Sequence, residues 1–379
     1  MKHLFGLALA GGGARGAYAA GVMRYLFTEL PKTLGFTPWP QLVSGTSVGA
    51  LNGYFAATHS IDEVRRMTEI WTNLKVEDIF EMYGSTAFRT IRHLFRVGRH
   101  GYLLDQTPLR TLIEREAARR SLRKSIAQGK CKAYFVSATV LNSGDGTLFV
   151  ETGDPTFTIP PLPKGKVVYT KIYPEHLIAS AAIPIIFPPE SIDGVYYIDG
   201  GVRQNAPLHP ILYGGAERIL VIGTRKPKEI TPNVDLTPSL SLIAGKTLNA
   251  LTLDPIERDT NRAQLVNSII DWGIQKYGAE FGESLYAELG LRTTKIMQIH
   301  PTKDLGQLAG TVYSPQKVDA KANVKWLLNT ISNQGKDNKE SDLLSQLLFD
   351  GSFTREVEQI GFHDAEAMRE ELHAFFTEA

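Results

Sequence analysis

The stretch Val43-Ser44-Gly45-Thr46-Ser47-Val48-Gly49-Ala50 combines an apolar lead-in with the spacing Gly45-x-Ser47-x-Gly49. Small residues continue to Gly53, so the pattern predicts a strand, a sharp turn and a helix. A serine at such a turn adopts a strained backbone conformation that only small neighbours permit. The positive N-terminal end of the helix would favour negative charge beside the hydroxyl. Ser47 is therefore a candidate nucleophile, although a plain strand-to-helix turn would give the same pattern.

A glycine-rich loop precedes this turn. Apolar residues 4–10 predict a first strand that is buried on both faces of a parallel sheet. The loop Gly11-Gly12-Gly13-Ala14-Arg15-Gly16 follows, and residues 17–30 then repeat apolar side chains at helical spacing. Met1-Lys2-His3 and the apolar run also resemble a short signal peptide. We favour the buried strand, because cleavage would remove the strand that holds the loop.

The spacing Gly11-x-Gly13-x-x-Gly16 has three interpretations. It fits the dinucleotide-binding fingerprint, but that site also needs a carboxylate about 20 residues later. Residues 34–40 contain none. In the second interpretation, the N–H groups of Gly12 and Gly13 surround a developing oxyanion, with the Val48 N–H as a third donor. The third is a tight turn without a ligand.

A carboxylate at the end of a later apolar strand is the third candidate element. Residues 195–198 predict a strand, and Asp199-Gly200-Gly201 follows it. Active sites of α/β proteins usually lie at this end of the sheet. Asp199 can act as a base for Ser47 only if burial raises its pKa above the ordinary value of about 3.9. Otherwise it is a turn aspartate that accepts backbone N–H bonds. Histidine is the usual base, but neither His176 nor His209 has a recognisable setting.

Together these elements resemble the patatin-like phospholipase family, in its bacterial-type acyl hydrolase form. The segment 11–16 resembles the family's oxyanion loop, 45–49 its nucleophile elbow and 199–201 its catalytic Asp-Gly-Gly element. Ser180-Ala181-Ala182-Ile183-Pro184 is similar to a family segment that packs near the site. The resemblance covers the sequence up to about residue 225.

The resemblance implies a lipid acyl hydrolase with a Ser–Asp dyad and without a metal or organic cofactor. Ser47 would be the nucleophile and Asp199 the base, with the oxyanion held by Gly12, Gly13 and Val48. The substrate would be a phospholipid or lysophospholipid, cleaved through an acyl-serine intermediate. A dinucleotide-binding oxidoreductase and a non-enzymatic lipid-binding module of the same fold remain as alternatives. The predicted supporting residues are Gly11, Arg15, Gly16, Gly45, Gly49, Gly200 and Gly201.

Strands that alternate with helices predict an α/β fold, followed by a mainly helical C-terminal region. The resemblance implies that this fold is a three-layer patatin-type sheet with helices on both faces. The predicted domains are a catalytic domain over 1–225 and a region over 226–379 that completes or caps it. Further strands are predicted over 41–44, 132–141, 147–151, 218–223 and 295–300. Further helices are predicted over 48–59, 62–74, 86–96, 107–120, 174–182 and 236–272, and Asp62 is the predicted N-cap of the second of these. Two or three helices are predicted over 343–379, after a linker over 333–342.

The composition limits the binding partners and the cellular compartment that can be expected for the protein. A net charge of +1 argues against a nucleic-acid binder that works by bulk electrostatics. The single cysteine, Cys131, excludes an intrachain disulfide and favours a reducing, cytoplasmic compartment. No apolar run approaches the roughly 20 residues of a membrane-spanning helix. Residues 89–104 interleave basic and apolar side chains, which indicates either peripheral membrane contact or a core-packed helix with a solvated basic face.

Overall fold

The computed structural model of the protein describes residues 3–82, 102–162, 164–203, 208–227, 255–333 and 342–378. The helix predicted over 86–96 lies outside these residues. Most of the basic segment 89–104 and most of the linker predicted over 333–342 also lie outside them.

The described residues contain eleven strands, nine of which form one sheet. They are β1 (Phe5–Leu9), β2 (Leu42–Thr46), β3 (Glu81–Met82), β4 (Leu104–Asp105), β5 (Ala133–Val140), β6 (Gly146–Thr152), β7 (Gly165–Tyr169), β8 (Glu190–Ile192), β9 (Val195–Asp199), β10 (Arg218–Ile222) and β11 (Lys295–Ile299). The main order is β11-β10-β1-β2-β5-β6-β7, while β9 pairs with β5 and β8 with β9. The first five strands of that order are parallel, which confirms the predicted α/β class.

Strand β1 lies at the centre of the sheet, between β2 and β10, and all five of its residues are buried. The prediction of a buried first strand over residues 4–10 is therefore confirmed. The strands predicted over 132–141 and 147–151 correspond to β5 and β6, which form a hairpin in antiparallel register from Ala133 opposite Thr152 to Thr139 opposite Gly146.

Fifteen α-helices occur in the same described ranges. They are α1 (Ala17–Arg24), α2 (Pro31–Leu34), α3 (Val48–Ala57), α4 (Ile61–Asn73), α5 (Thr107–Ala117), α6 (Ser121–Ala127), α7 (Pro174–Ser180), α8 (His209–Tyr213), α9 (Pro255–Tyr277), α10 (Ala279–Leu289), α11 (Leu305–Val312), α12 (Ala322–Asn333), α13 (Asp342–Leu347), α14 (Gly351–Ala367) and α15 (Arg369–Thr377). The last three are the two or three helices predicted at the C-terminus.

Two predicted helices differ from the observed ones for local reasons. Helix α4 begins after Ser60, whose hydroxyl accepts the Glu63 N–H, so Ser60 and not Asp62 is its N-cap. The helix predicted over 107–120 ends earlier, at Ala117, and a separate helix, α6, begins at Ser121 directly after Arg120, which adopts a left-handed conformation with φ 57°.

The two faces of the sheet are covered by separate hydrophobic clusters, as expected for a three-layer fold. The larger cluster includes side chains from α1, α3, α4 and the C-terminal helices. The smaller one includes side chains from α8 and from the irregular segment after β6. None of the described helices is long and apolar enough to cross a membrane.

Residues from the C-terminal region share this sheet and this core. Strand β11 pairs with β10 in parallel and adds an edge strand. Helices α1 and α14 are in direct backbone contact, since a Cβ on Gly21 would lie 1.8 Å from the Glu358 carbonyl oxygen. A Cβ on Gly361 would likewise lie 2.1 Å from the Tyr18 carbonyl oxygen. Such close approach is possible only with glycine at both positions.

The register along β5 brings two distant segments to one place. Strand β6 occupies one edge of β5, so β2 and β9 share the other edge. The last residue of β2, Thr46, lies opposite Ser137, and the last residue of β9, Asp199, lies opposite Ala138. The chain that leaves β2 therefore starts beside the carboxyl end of β9.

Candidate active site

Ser47 occupies the turn between β2 and α3. Its backbone has φ 54° and ψ −131°, a strained conformation for a residue with a side chain, and only 4% of the residue is exposed. A Cβ on Gly45 would lie 2.4 Å from the Gly49 backbone, and one on Gly49 would lie 2.3 Å from the Leu9 carbonyl oxygen. The two glycines therefore allow the turn to fold back onto itself and onto β1.

The Asp199 carboxyl group lies within hydrogen-bond reach of the Ser47 side chain. One of its oxygens, Oδ1, also accepts the Gly201 N–H at 2.7 Å, and Asp199 is 2% exposed. Burial raises the pKa of Asp199 from its ordinary 3.8 to about 7, against the opposing effect of these two hydrogen bonds. A carboxylate with this pKa is a far better base near neutral pH than an exposed aspartate.

A short segment at the end of α7 fixes both residues. The Ser47 N–H donates to Ser180 Oγ at 2.8 Å, and the Asp199 N–H donates to the Ala182 carbonyl oxygen at 2.8 Å. On the other side of Asp199, its carbonyl oxygen accepts the Thr139 hydroxyl at 3.1 Å. The relative position of the two side chains is thus set by backbone hydrogen bonds on both sides.

The glycine loop lies between the Ser47 turn and the C-terminal helix α13. Gly13 and Val48, two of the three predicted oxyanion donors, line the same cavity as Ser47. Gly13 has φ 58°, and a Cβ there would lie 2.1 Å from the Gln346 carbonyl oxygen. Gly12 has φ 147° and faces Thr224, whose hydroxyl donates to the Gly11 carbonyl oxygen at 2.6 Å.

Arg15 anchors this loop to α13. The side chain is 2% exposed, and its guanidinium donates to Asp342 Oδ1 and to Ser345 Oγ, both at 2.8 Å. Burial lowers the pKa of Arg15, while the Asp342 carboxylate raises it. The structure therefore pairs Arg15 with a helix more than 300 residues further along the chain.

An apolar cavity extends from Ser47 between the helices α3, α4, α5 and α7. It encloses about 850 Å³, including its open mouth. Most of its lining side chains are aliphatic or aromatic. They are Val48, Leu51, Tyr54, Phe55, Met67, Ile70, Trp71, Leu74, Ile79, Leu109, Leu112, Ile113, Ala117, Leu177, Ala181, Ile183, Phe187 and Phe349.

Two polar side chains of this wall, Asn52 and Glu116, are paired within the protein. Asn52 donates to the Gly16 carbonyl oxygen and accepts the Trp71 indole N–H, both at 2.8 Å. The Glu116 carboxylate is held by Arg66 at 3.0 Å and by Arg115 at 3.0 Å. The cavity therefore offers an apolar ligand contacts without leaving buried polar groups unpaired.

The two histidines considered from the sequence have other contacts. His176 accepts the Tyr173 N–H at Nδ1 and packs against the Phe149 ring, and His209 lies beside the Pro160 carbonyl oxygen. Within the described ranges, no cluster of three or more His, Cys, Asp or Glu side chains could hold a metal ion.

Some residues of the site had no usable signal in the sequence. The segment 180–184 was noted, but the sequence does not show that Ser180 accepts the Ser47 N–H. The sequence places Asp342 at the end of a predicted polar linker. No local pattern connects it with its partner Arg15, because the two residues are too distant along the chain.

Comparison with known proteins identifies the family. Residues 7–212, more than half of the chain, match the family model described as Patatin-like phospholipase. The chain therefore belongs to the patatin-like phospholipase family, which confirms the predicted resemblance and supports a lipid acyl hydrolase at the level of the family. No curated protein matches it.

Solved structures resemble the chain only distantly. The crystal structure of VipD from Legionella pneumophila is 12% identical, with a TM-score of 0.40 over 98% of this chain and 67% of that chain. Human GIVD cytosolic phospholipase A2, in complex with methyl gamma-linolenyl fluorophosphonate, is 11% identical, with a TM-score of 0.39 over 98% of this chain and 59% of that chain.

Removal of the Asp342 carboxylate should destabilise the protein strongly. In Asp342→Ala, the buried Arg15 guanidinium loses its counter-charge, and we expect a loss of roughly 3–5 kcal/mol in the free energy of unfolding. Asp319→Ala is the matched control, because it removes only an exposed ion pair with Lys75 and should change the free energy of unfolding far less. Urea denaturation measures both, and equal losses would contradict the anchoring of Arg15.

Replacement of Asp199 should stabilise the protein above neutral pH. The folded-state pKa is raised, so Asp199 stays protonated when folded while the unfolded chain ionises, and stability falls as pH rises between about 4 and 7. Asp199→Asn removes this loss, and we expect a gain of up to roughly 4 kcal/mol at pH 8 that shrinks towards pH 4. Denaturation at several pH values measures it. Asp193→Asn, at an exposed position, should show no such trend.

Proposed function

We propose that the protein hydrolyses fatty-acyl esters of phospholipids or lysophospholipids, with Ser47 as nucleophile and Asp199 as general base. The observation that carries this proposal is the contact of the Ser47 side chain with a buried carboxyl group of raised pKa, at the wall of an apolar cavity. Membership of the family supports the reaction class. The contact between Ser47 and Asp199 supports the assignment of these two residues as nucleophile and general base.

The reaction would proceed in two steps. Ser47 Oγ attacks the ester carbonyl carbon while its proton passes to the Asp199 carboxylate, and a tetrahedral oxyanion forms. The C–O bond to the leaving alcohol then breaks, and the alcohol takes the proton from Asp199. Water next attacks the acyl-serine, with Asp199 accepting its proton and returning it to Ser47 Oγ as the fatty acid leaves.

The oxyanion would be stabilised by backbone N–H groups. Gly13 and Val48 line the cavity beside Ser47, and Gly12 precedes Gly13 in the same loop. The positive end of α3 adds to this environment. Each donor of this kind contributes roughly 3 kcal/mol to lowering the barrier, so the position of the loop matters for the rate.

The cavity supports a fatty-acyl chain as the group that is recognised. Its wall is predominantly aliphatic and aromatic, as is typical of pockets that bind apolar ligands. Since Asn52 and Glu116 are paired within the protein, a hydrocarbon chain would displace no partner of a buried polar group. The alcohol portion of the ester would remain towards the open mouth.

Ser47→Ala and Asp199→Asn should abolish ester hydrolysis while the fold persists. We expect turnover to fall by at least about 10⁴-fold without the nucleophile and by about 10²–10⁴-fold without the base. Released fatty acids from a panel of phospholipids and lysophospholipids are measured by mass spectrometry. The controls are Ser44→Ala, a buried serine whose hydroxyl has no partner among the described residues, and Asp193→Asn.

A fluorophosphonate probe separates this function from the alternatives. The wild-type protein should be labelled at Ser47, and Ser47→Ala should not be labelled. A folded wild-type protein that binds phospholipids but is neither labelled nor active would instead be a lipid-binding module. Wild-type turnover by either dyad variant would exclude the proposed mechanism.

The pH dependence of kcat/KM should follow Asp199. The base must be ionised to accept the Ser47 proton, and its pKa is raised to about 7 by burial. We expect kcat/KM on a soluble short-chain ester to fall about tenfold per pH unit below about pH 7 and to level off above it. A profile that stays flat down to pH 5 would show that a group of ordinary carboxylate pKa acts instead.

A further inference from the structure

The outer face of α9 is apolar where a surface helix is normally polar. Leu265, Ile269 and Trp272 lie at helical spacing on one side of the helix, and they are 60%, 49% and 53% exposed. Arg262 and Lys276 extend this side at its two ends, and both are exposed. We call these five residues the outer face of α9.

The opposite side of α9 is the one that packs on the protein. Thr260, Ala263 and Ile270 are buried there. Asn267 holds the helix in place, since its side chain donates to the Thr294 carbonyl oxygen at 2.7 Å and accepts the Thr294 N–H at 3.0 Å. The apolar outer face is therefore not part of the core, and three large side chains remain in contact with water.

The charge on this outer face is positive. The Lys276 ammonium lies 4.9 Å from the Trp272 ring centroid, so the aromatic ring and the cation occupy one surface. Between residues 260 and 277, the only acidic residue is Asp271, which accepts the Thr293 hydroxyl at 3.4 Å and is not one of the outer-face positions.

A basic groove adjoins the outer face. Arg262 belongs to both, and the groove is completed on α9 by Ala263, Val266 and Asn267. It encloses about 2,000 Å³, including its wide opening, and its described lining contains no aspartate or glutamate. Its cationic side chains are Lys164, Arg203, Arg262 and Arg292.

We propose that the outer face of α9 and the basic groove dock onto an anionic phospholipid bilayer. A helix that combines exposed Leu, Ile and Trp side chains with flanking cations has the composition of helices that lie in the membrane interface. The groove would take anionic head groups, because cations near a bilayer surface strengthen binding to anionic lipids. This inference goes beyond the proposed function and does not rest on it, because docking needs no catalysis.

A second copy of the chain fits the same face less well. A symmetric contact would place this face against itself. With antiparallel helices, Arg262 would face Lys276 of the other copy, and with parallel helices each cation would face its own equivalent. Like charges would meet in either arrangement, whereas an anionic bilayer complements them.

Vesicle binding by the full chain tests the proposal. We would use Ser47→Ala protein, so that no lipid is hydrolysed, with vesicles of phosphatidylcholine alone or with about one-third phosphatidylglycerol. Co-sedimentation should be strong only with phosphatidylglycerol present. Adding Trp272→Ala should weaken it about tenfold, because one large side chain no longer enters the interface. Adding Lys276→Glu should weaken binding to the anionic vesicles.

A tryptophan on another helix provides the matched control. Trp326 on α12 is 52% exposed, almost the same as Trp272, but it lies outside the outer face of α9. Trp326→Ala should bind vesicles like the parent. Brominated acyl chains should quench tryptophan fluorescence equally in the parent and in Trp326→Ala, and the quenching should be clearly weaker in Trp272→Ala.

Three results would overturn the proposal. The first is equal vesicle binding by the parent and by folded Trp272→Ala. The second is binding that ignores lipid charge and the Lys276→Glu change. The third is the absence of vesicle binding together with a concentration-dependent dimer that the Trp272→Ala substitution dissociates. None of these results would contradict the proposed hydrolysis of soluble esters by Ser47 and Asp199, which is tested by its own experiments.

Discussion

The site depends on one edge of strand β5, which two other strands share. Strand β2 pairs with this edge up to Ser137, and β9 begins to pair with it at Ala138. Because consecutive residues of one strand are only about 3.3 Å apart, the ends of β2 and β9 must meet. The nucleophile turn follows β2 directly, and Asp199 is the last residue of β9. The position of Ser47 beside Asp199 is thus a consequence of sheet register.

This arrangement has free-energy costs that the surrounding structure offsets. Ser47 is held in a strained backbone conformation, and Asp199 is buried as a carboxyl group with a raised pKa. The hydrogen bonds that Ser47 and Asp199 donate to Ser180 and Ala182 secure both residues, and the ion pair of Arg15 with Asp342 secures the neighbouring loop. Strain and an unfavourable ionisation in one place are typical of a site whose geometry serves chemistry.

Two surfaces of the molecule suit lipids, for different physical reasons. The cavity beside Ser47 is a partly open pocket between helices with a mainly apolar wall, which suits a single hydrocarbon chain. The outer face of α9 is open, apolar and flanked by cations, which suits the surface of a bilayer. Apart from Phe349, the residues that line the cavity belong to the region that matches the family model, whereas the outer face of α9 lies beyond residue 212, where that match ends.

The sequence alone determined the features that depend on short-range patterns. Apolar runs predicted β1 and β10, the glycine spacing predicted the turn at Ser47, and the order of three motifs predicted the family and the two candidate dyad residues. Local backbone conformation follows from nearby side chains, so such patterns can be read directly. Only the tertiary structure decided which distant groups pair. The Ser47 N–H meets a hydroxyl 133 residues away and the Arg15 side chain one 330 residues away, and α9 turns its apolar side to solvent. These contacts depend on how helices and strands pack, which no local pattern encodes.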